Sequence, residues 1–291
     1  MNLAYARVLD GQLRESVVGK TIRAVVANQN PHSFVWFALE PQRAFRDDSA
    51  APETAAYLTG KTIARSDVQT GGYGLFNFLY VGDRALMSDI APRYFSPSEK
   101  LPKRHQLLLL FEDGSALCYT ASLGGALFLF RVDENGLAQG YANPFPALLS
   151  AAFSYDFFCE LIRRSSGKAV SVKQLLATKN RVPGIDNALL QDILWEARVN
   201  PKSKIDALDE ADFQRIFHAV KAVVPAIIAA GGRDTDKDLY GRFGGYATKA
   251  SRNTVGKPCA RCGEAIVKEA YLGGSVFYCP SCQQEKRRKL P

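Results

Sequence analysis

Four cysteines near the C-terminus have the type and spacing to act together. Cys259, Cys262, Cys279 and Cys282 form C-x2-C-x16-C-x2-C within "KPCARCGEAIVKEAYLGGSVFYCPSCQ". Each CxxC turns tightly enough to offer two thiolates to one ion, and the stretch between the pairs is long enough for a returning hairpin. Four soft thiolates in tetrahedral reach select Zn²⁺, less often iron. Four ligands close the coordination sphere, so the expected role is structural: one Zn²⁺ and no open catalytic position. A disulfide pair or four unrelated thiols are the alternatives. The other two of the six cysteines, Cys118 and Cys159, stand far apart in apolar surroundings ("ALCYT", "DFFCEL") and read as buried, inert thiols.

A second cluster lies in "VSVKQLLATKNRVPGIDNALLQDILWEARVNPKSKI". The spacing predicts a helix ending near Thr178, a turn with Lys179, Asn180, Arg181, Pro183 and Gly184, and a second helix from about Asn187. Two cations, Lys179 and Arg181, then meet a helix N-terminus whose unpaired N–H groups suit a phosphate. The alternative is a plain helix hairpin with solvated cations. Asp192 and Glu196 read as helix-face charges, and His32, His105 and His218 as ordinary core or surface histidines.

These clusters need elements to position them. The chain has 291 residues, 47% hydrophobic and 23% charged, which suits folded domains and excludes bulk disorder. The net charge of +8 favours polyanion partners. No apolar run is long enough to cross a membrane and no signal pattern opens the chain, so a cytoplasmic monomer with no membrane partner is expected.

The N-terminal half reads as one helix, with apolar residues from Leu3 to Val17 at three- to four-residue steps and Gly19 closing it. Short apolar runs come next: "TIRAVVAN", "SFVWFAL", "GLFNFLYV", "RALMSDI", "QLLLLFED", "SALCYTA" and "GALFLFRV". They predict a β-sandwich or barrel, of which the sandwich is taken, with Asp113-Gly114 as a hairpin turn. Past a Gly-, Asn- and Pro-rich stretch the periodicity turns helical. Asp209 with Asp212 forms a capping pair, and Pro225 is expected to kink the last helix. The fold class is therefore α+β, multidomain. Residues 1–134 form the helix and β-sandwich, 135–150 a linker, 151–250 a helical domain, and 251–291 a zinc-ribbon hairpin with a basic tail, "EKRRK".

The helical segment resembles the helix–two-turn–helix element of the formamidopyrimidine-DNA glycosylase and endonuclease VIII family. Gly184-Ile185-Asp186-Asn187 matches its G-h-G-N, with Asp186 in place of the second glycine, and "LWEARVNP" matches the family's next segment. The stretch from "DLYGR" through "GKPCARCGEAIVKEAYLGGSVFYCPSCQ" is similar to that family's zinc finger, and "HQLLLLFEDGSALCYT" resembles its strand pair. The resemblance implies that the finger and the helical turn clamp damaged or distorted double-stranded DNA. It assigns Asn187 a phosphate contact, with Lys179 and Arg181 beside it. It also implies DNA glycosylase and abasic-site lyase activity in base excision repair, with the damaged nucleotide flipped from the stack.

The family's catalytic positions are altered. Its N-terminal proline and following glutamate are replaced by Asn2 and Leu3, and its strand-turn lysine by Gly71 and Gly72. Its Y-T-D-P-R-R-F reads Tyr119-Thr120-Ala121-Ser122-Leu123-Gly124-Gly125, and the finger arginine that grips a phosphate aligns with Gly274. Met1, not expected to be trimmed before asparagine, keeps an α-amine able to form an imine with an abasic-site aldehyde. Three readings are open: a lesion-processing enzyme with rearranged groups, a non-catalytic DNA-binding member, and a zinc-ribbon module for RNA or protein.

Overall fold

The computed structural model describes every residue except 28–34, 39–49, 72–73, 122–124, 134–144, 166–169, 179–181 and 288–291. The chain divides into two compact units. One holds Met1, Ala6–Asn143 and Asp238–Arg242. The other holds Asn2–Tyr5, Pro144–Lys237 and Phe243–Pro291.

Helix α1 (Leu3–Ser16) carries the expected stripe: Leu3, Ala6, Leu9 and Leu13 are buried, as is Val17 in the turn beyond. Gly19, at φ 87°, makes the left-handed exit that a Cβ would disfavour. In the first unit, strands β1 (Ile22–Ala27), β6 (Pro92–Phe95), β7 (Leu107–Phe111) and β8 (Ala116–Tyr119) form a sheet in the order β1-β7-β8-β6. A second sheet, in the order β2-β9-β5-β4-β3, contains β2 (Val35–Ala38), β3 (Ile63–Gly71), β4 (Gly74–Val81), β5 (Arg84–Ser88) and β9 (Gly125–Arg131). On one face of the second sheet Phe76, Phe78 and Tyr80 pack with Ala85, Met87, Ala126, Phe128 and Phe130. The opposite-phase residues Leu79, Leu86, Leu127 and Leu129 are buried too. Burial on both faces explains why these strands read as continuous apolar runs.

All seven expected strands form, and Gly114, at φ 83°, sits in the expected hairpin turn. Among the described residues of the first unit, three elements are additional. β3 and β6 are sheet edges: β3 is polar, and β6 begins with Pro92, which lacks a ladder donor. Helix α2 (Ala50–Leu58) is short and alanine-rich, with Pro52 in its first turn.

The second unit contains α3 (Tyr155–Ser165), α4 (Val172–Ala177), α5 (Asn187–Ala197), α6 (Glu210–Ala229) and the antiparallel hairpin β10 (Val267–Tyr271) and β11 (Gly274–Tyr278). Asp209 and Asp212 form a reciprocal capping box on α6, which continues through Pro225 as one helix. The residue 250/251 boundary falls inside a core: Trp195 of α5 packs with Ala250, Cys259, Ile266 and Cys279, with Phe277 and Cys282 against them. Most of the 135–150 linker lies outside the described residues. Among those described, no helix is long and apolar enough to cross a membrane.

Candidate nucleic-acid interface and metal centre

The hairpin closes through Leu272 and Gly273, at φ 52° and 72°, a pair of left-handed residues that matches the twist of the strands. At its base the Sγ atoms of Cys259, Cys262, Cys279 and Cys282 all lie within 4.8 Å of one another. Burial works to raise the Cys259 pKa, but the Arg261 and Cys262 N–H groups and the Trp195 indole outweigh it and bring the thiol to about 6. Burial and the neighbouring thiols push Cys282 up to about 12. Four thiols this close cannot all ionise unless positive charge joins them, so the donor set fits a soft dication. The four cysteines can hold a metal ion. Among the described residues no other group of three or more His, Cys, Asp or Glu side chains converges this way.

Side chains from the helices brace the hairpin at several points. Asn187 Nδ2 donates to the Ser275 carbonyl at 2.9 Å, and Gln191 Oε1 accepts from Phe277 N at 3.1 Å. Lys173 Nζ donates to the Tyr271 carbonyl at 2.6 Å. Behind the thiols, Trp195 Nε1 donates to Cys259 Sγ at 3.4 Å, and Arg261 stacks 4.0 Å over the indole while donating to the Trp195 carbonyl. Gln283 exchanges bonds with Val199 and Asn200.

The N-terminus of α5 is not the open anion site expected from sequence. Asp186 is the N-cap, and its Oδ1 accepts from Ala188 N at 3.0 Å and Leu189 N at 2.8 Å. The residue that departs from the family's glycine fills the helix end with a carboxylate. Its Oδ2 accepts from Asn2 Nδ2 at 3.0 Å, while Asn2 Oδ1 accepts from Tyr5 N and caps α1. Asn2, which stands at the family's proline position, is thus a buried capping residue, 3% exposed. Lys179 and Arg181 lie outside the described residues, as do Gly72 and residues 122–124. Asn187 is described, and its amide spans to the hairpin.

The reading of Asp192 as a helix-face charge is corrected. Asp192 is buried: Oδ1 accepts from Lys249 N and Ala250 N, Oδ2 has no partner, and burial raises its pKa to about 6. It ties α5 to the approach to the finger and does not face solvent. Glu196, by contrast, is exposed and pairs with Arg261 at 3.3 Å. In the basic tail, Lys286 pairs with Asp209 and Asp212, and Arg287 with Glu285, so these two cations are internally matched.

Sequence reading missed a carboxylate in the first unit. Asn77 Nδ2 donates to Met1 Sδ at 3.3 Å, and Asn77 pairs across β4–β5 with Ser88, the residue before Asp89. Asp89 Oδ1 accepts from Ala126 N at 2.7 Å. Burial raises the Asp89 pKa, while the Ala126 N–H and then the Met1 ammonium pull against it. The residue nevertheless remains exposed to solvent. Asn77 is 2% exposed and its Oδ1 has no partner. The sequence signal was only an acid ending a strand.

A helix–turn–helix braced to a hairpin closed by four thiols, in a chain that also carries a unit of two β-sheets, defines an α+β protein of two units. No family model matches the chain. It is 27% identical over 299 residues to the formamidopyrimidine-DNA glycosylase of Mycobacteroides abscessus, covering 97% of each chain. It is 32% identical over 254 residues to that of Acidothermus cellulolyticus, covering 80% of this chain and 85% of the relative. Among solved structures, MutM (Fpg) from Thermus thermophilus aligns over 99% of this chain and all of its own, with a TM-score of 0.74 and 22% identity. Lactococcus lactis Fpg in complex with abasic-site DNA aligns over 98% of this chain, with a TM-score of 0.75 and 21% identity. The chain belongs to the formamidopyrimidine-DNA glycosylase family.

Proposed function

We propose that this protein binds double-stranded DNA at abasic or distorted sites, within base excision repair, and that excision of intact damaged bases is lost. The observation that carries the reading is the join between α5 and the hairpin: Asn187 reaches Ser275 across 2.9 Å, making one surface of two elements. One structural Zn²⁺ on Cys259, Cys262, Cys279 and Cys282 would hold that surface together. The two bacterial relatives are glycosylases, and one solved neighbour carries abasic-site DNA. The net charge of +8 supports backbone binding. The loss of excision rests on Asn2 and Leu3, which offer neither the secondary amine nor the carboxylate of the family pattern.

A second reading is favoured by Asp89. Met1 and Asp89 sit against neighbouring strands, so an α-amine and a carboxylate share one region of the first unit. The amine can condense with the aldehyde of an opened abasic site and release water. Asp89 can then take the C2′ proton, and the electron pair expels the 3′ phosphate. This is weak β-elimination at preformed abasic sites and needs no base excision.

The test incubates the protein with undamaged, abasic-site and oxidised-base duplexes, with and without borohydride. Salt-sensitive retention of abasic duplex with no release of oxidised bases is expected. Efficient excision would overturn the loss of glycosylase chemistry. Salt-insensitive binding, or binding to RNA alone, would move the protein to the zinc-ribbon module reading.

A further inference from the structure

Asn77 is an unusual side chain for its strand. It stands inside β4, "GLFNFLYV", and is 2% exposed. Its neighbours along the chain, Leu75, Phe76, Phe78 and Leu79, are all buried and apolar. Across the sheet it pairs with Ser88 on β5 and Val68 on β3. Ser88 Oγ is already engaged: it accepts from Ile90 N at 2.9 Å and donates to the Ile90 carbonyl at 3.2 Å. Val68 offers no polar side chain. Among the described residues, the Asn77 side chain makes one bond, from Nδ2 to Met1 Sδ at 3.3 Å, and its Oδ1 has no partner. A buried amide satisfied on one side only, and there by a weak sulfur acceptor, destabilises the strand relative to an apolar residue of the same size. The strand gains nothing from this amide, so its effect lies in the residue it holds.

That residue is the first of the chain. Met1 is partly exposed and carries the α-amine. The amine and the side chain branch from one Cα, so rotation about the Met1 Cα–C bond swings both together. Holding Sδ on β4 restrains that rotation and sets the direction in which the amine points. The Asp89 carboxyl, just past the end of β5, is fixed in turn by the Ala126 N–H at 2.7 Å, and the Met1 ammonium acts on it. An amine and a carboxylate therefore each have their own restraint on one sheet.

We infer that Asn77 is a positioning residue for abasic-site lyase chemistry: its Nδ2–H holds the Met1 thioether and so aims the α-amine at the sugar aldehyde on the Asp89 side. This deepens the β-elimination reading and rests on it. The step served is a condensation. The electron pair of the neutral amine adds to C1′ of the opened sugar, and both amine protons leave with the aldehyde oxygen as water. Asn77 touches neither DNA nor the reacting atoms, so it acts on the rate of imine formation and leaves duplex affinity alone.

The experiment is a double-mutant cycle on the two ends of the N–H···S contact. The full chain, in a Met87→Leu background, is made with Asn77 or Asn77→Leu, and with methionine or norleucine at position 1. Met87 is fully buried in an apolar cluster, so Met87→Leu leaves Met1 as the one methionine that norleucine replaces. Norleucine keeps the shape of the side chain and removes the sulfur acceptor. Each protein, at saturating concentration, is mixed with an abasic-site duplex and borohydride, which delivers hydride to the imine carbon and fixes the adduct as an amine. Duplex affinity and the urea midpoint are measured alongside. Asn77→Leu and norleucine should each slow trapping by about five- to tenfold, with affinity unchanged and the midpoint equal or higher. The two changes together should slow it no further than either alone, because both break one bond. If the full chain traps and either single change leaves the rate intact, or the two losses multiply, the positioning role is wrong and the lyase reading stands. The norleucine arm decides this even where Asn77→Leu fails to fold. If the full chain itself forms no adduct, the lyase reading falls and the role of Asn77 falls with it.

Discussion

Asn2 Nδ2 donates to Asp186 Oδ2 across 3.0 Å, so the residue that starts α1 is tied to the residue that starts α5. Each is also a cap: Asn2 Oδ1 receives Tyr5 N, and Asp186 Oδ1 receives Ala188 N and Leu189 N. The two positions where the chain departs from its family's proline and glycine have become partners in local stability.

Removing that cap should separate stability from binding. Asp186→Ala loses the bonds to two helix N–H groups and should cost about 1–2 kcal/mol, read as a lower urea midpoint. The same change removes a negative charge from the side on which the proposed DNA contact lies. Affinity for abasic duplex at low salt should therefore rise roughly two- to fivefold. A variant that is destabilised and also binds more weakly would count against DNA binding on the side of α5 that Asp186 caps.

Loss of the metal should be felt inside the helices. Trp195 touches Cys259 through its indole N–H and shares a core with Cys279. Chelation, or Cys279→Ser, should shift tryptophan emission to the red and weaken duplex binding, while the first unit keeps its β circular-dichroism signal. Of the two tryptophans, Trp36 in the first unit is the control: a Trp36→Phe protein should show the full shift. An unchanged spectrum after metal removal would rule out the shared core.

Asp192 should make the protein less stable as pH rises from about 4 to about 6. Burial holds its folded pKa near 6, above the ordinary carboxylate value, so in this window the folded state binds more protons than the unfolded state. Stability from this group is present below the unfolded pKa and is lost as pH climbs through the folded one, by an amount on the order of 2–3 kcal/mol. Asp192→Asn keeps an acceptor for Lys249 N and Ala250 N and should flatten that part of the profile. Unfolding midpoints of both proteins between pH 4 and 7 provide the comparison.

Abasic-site lyase chemistry, if it runs through Met1, should depend on Asp89. Asp89→Asn preserves an acceptor for Ala126 N but cannot take the C2′ proton. Strand scission should fall by about 10²-fold while borohydride still traps the imine. Acetylating the N-terminus should abolish both signals. Scission by Asp89→Asn at the full rate would assign the proton transfer elsewhere.

Much of the scaffold was legible because its signals are local. The seven apolar runs are strands, Asp209 with Asp212 caps α6, and the cysteine spacing brings four thiols together. What sequence hid is pairing at a distance. Asn187 meets Ser275, Lys173 meets Tyr271, and Asp192 meets Lys249 and Ala250, each across more than fifty residues. No periodicity reports such contacts. Asp192 looked like a surface charge because only the arriving 249–250 backbone makes its position an interior one. Asp186 was different: its capping chemistry is local, but as a departure from glycine it drew attention to what was missing. Asn77 gave no signal and Asp89 only that of an acid ending a strand, since their interest comes from Met1 lying against β4.

The join of Cys259 to Trp195 and of Gln283 to Val199 also bears on mutational tolerance. A residue that only touches substrate can be exchanged without the fold noticing, as Asn2 and Gly274 illustrate at positions now occupied by a cap and a bare backbone. The cysteines have no such freedom, because losing one would loosen α5 and the hairpin together. A lineage released from excising bases could therefore shed its reactive groups one substitution at a time. It would keep all four thiols for as long as it kept a folded helical unit.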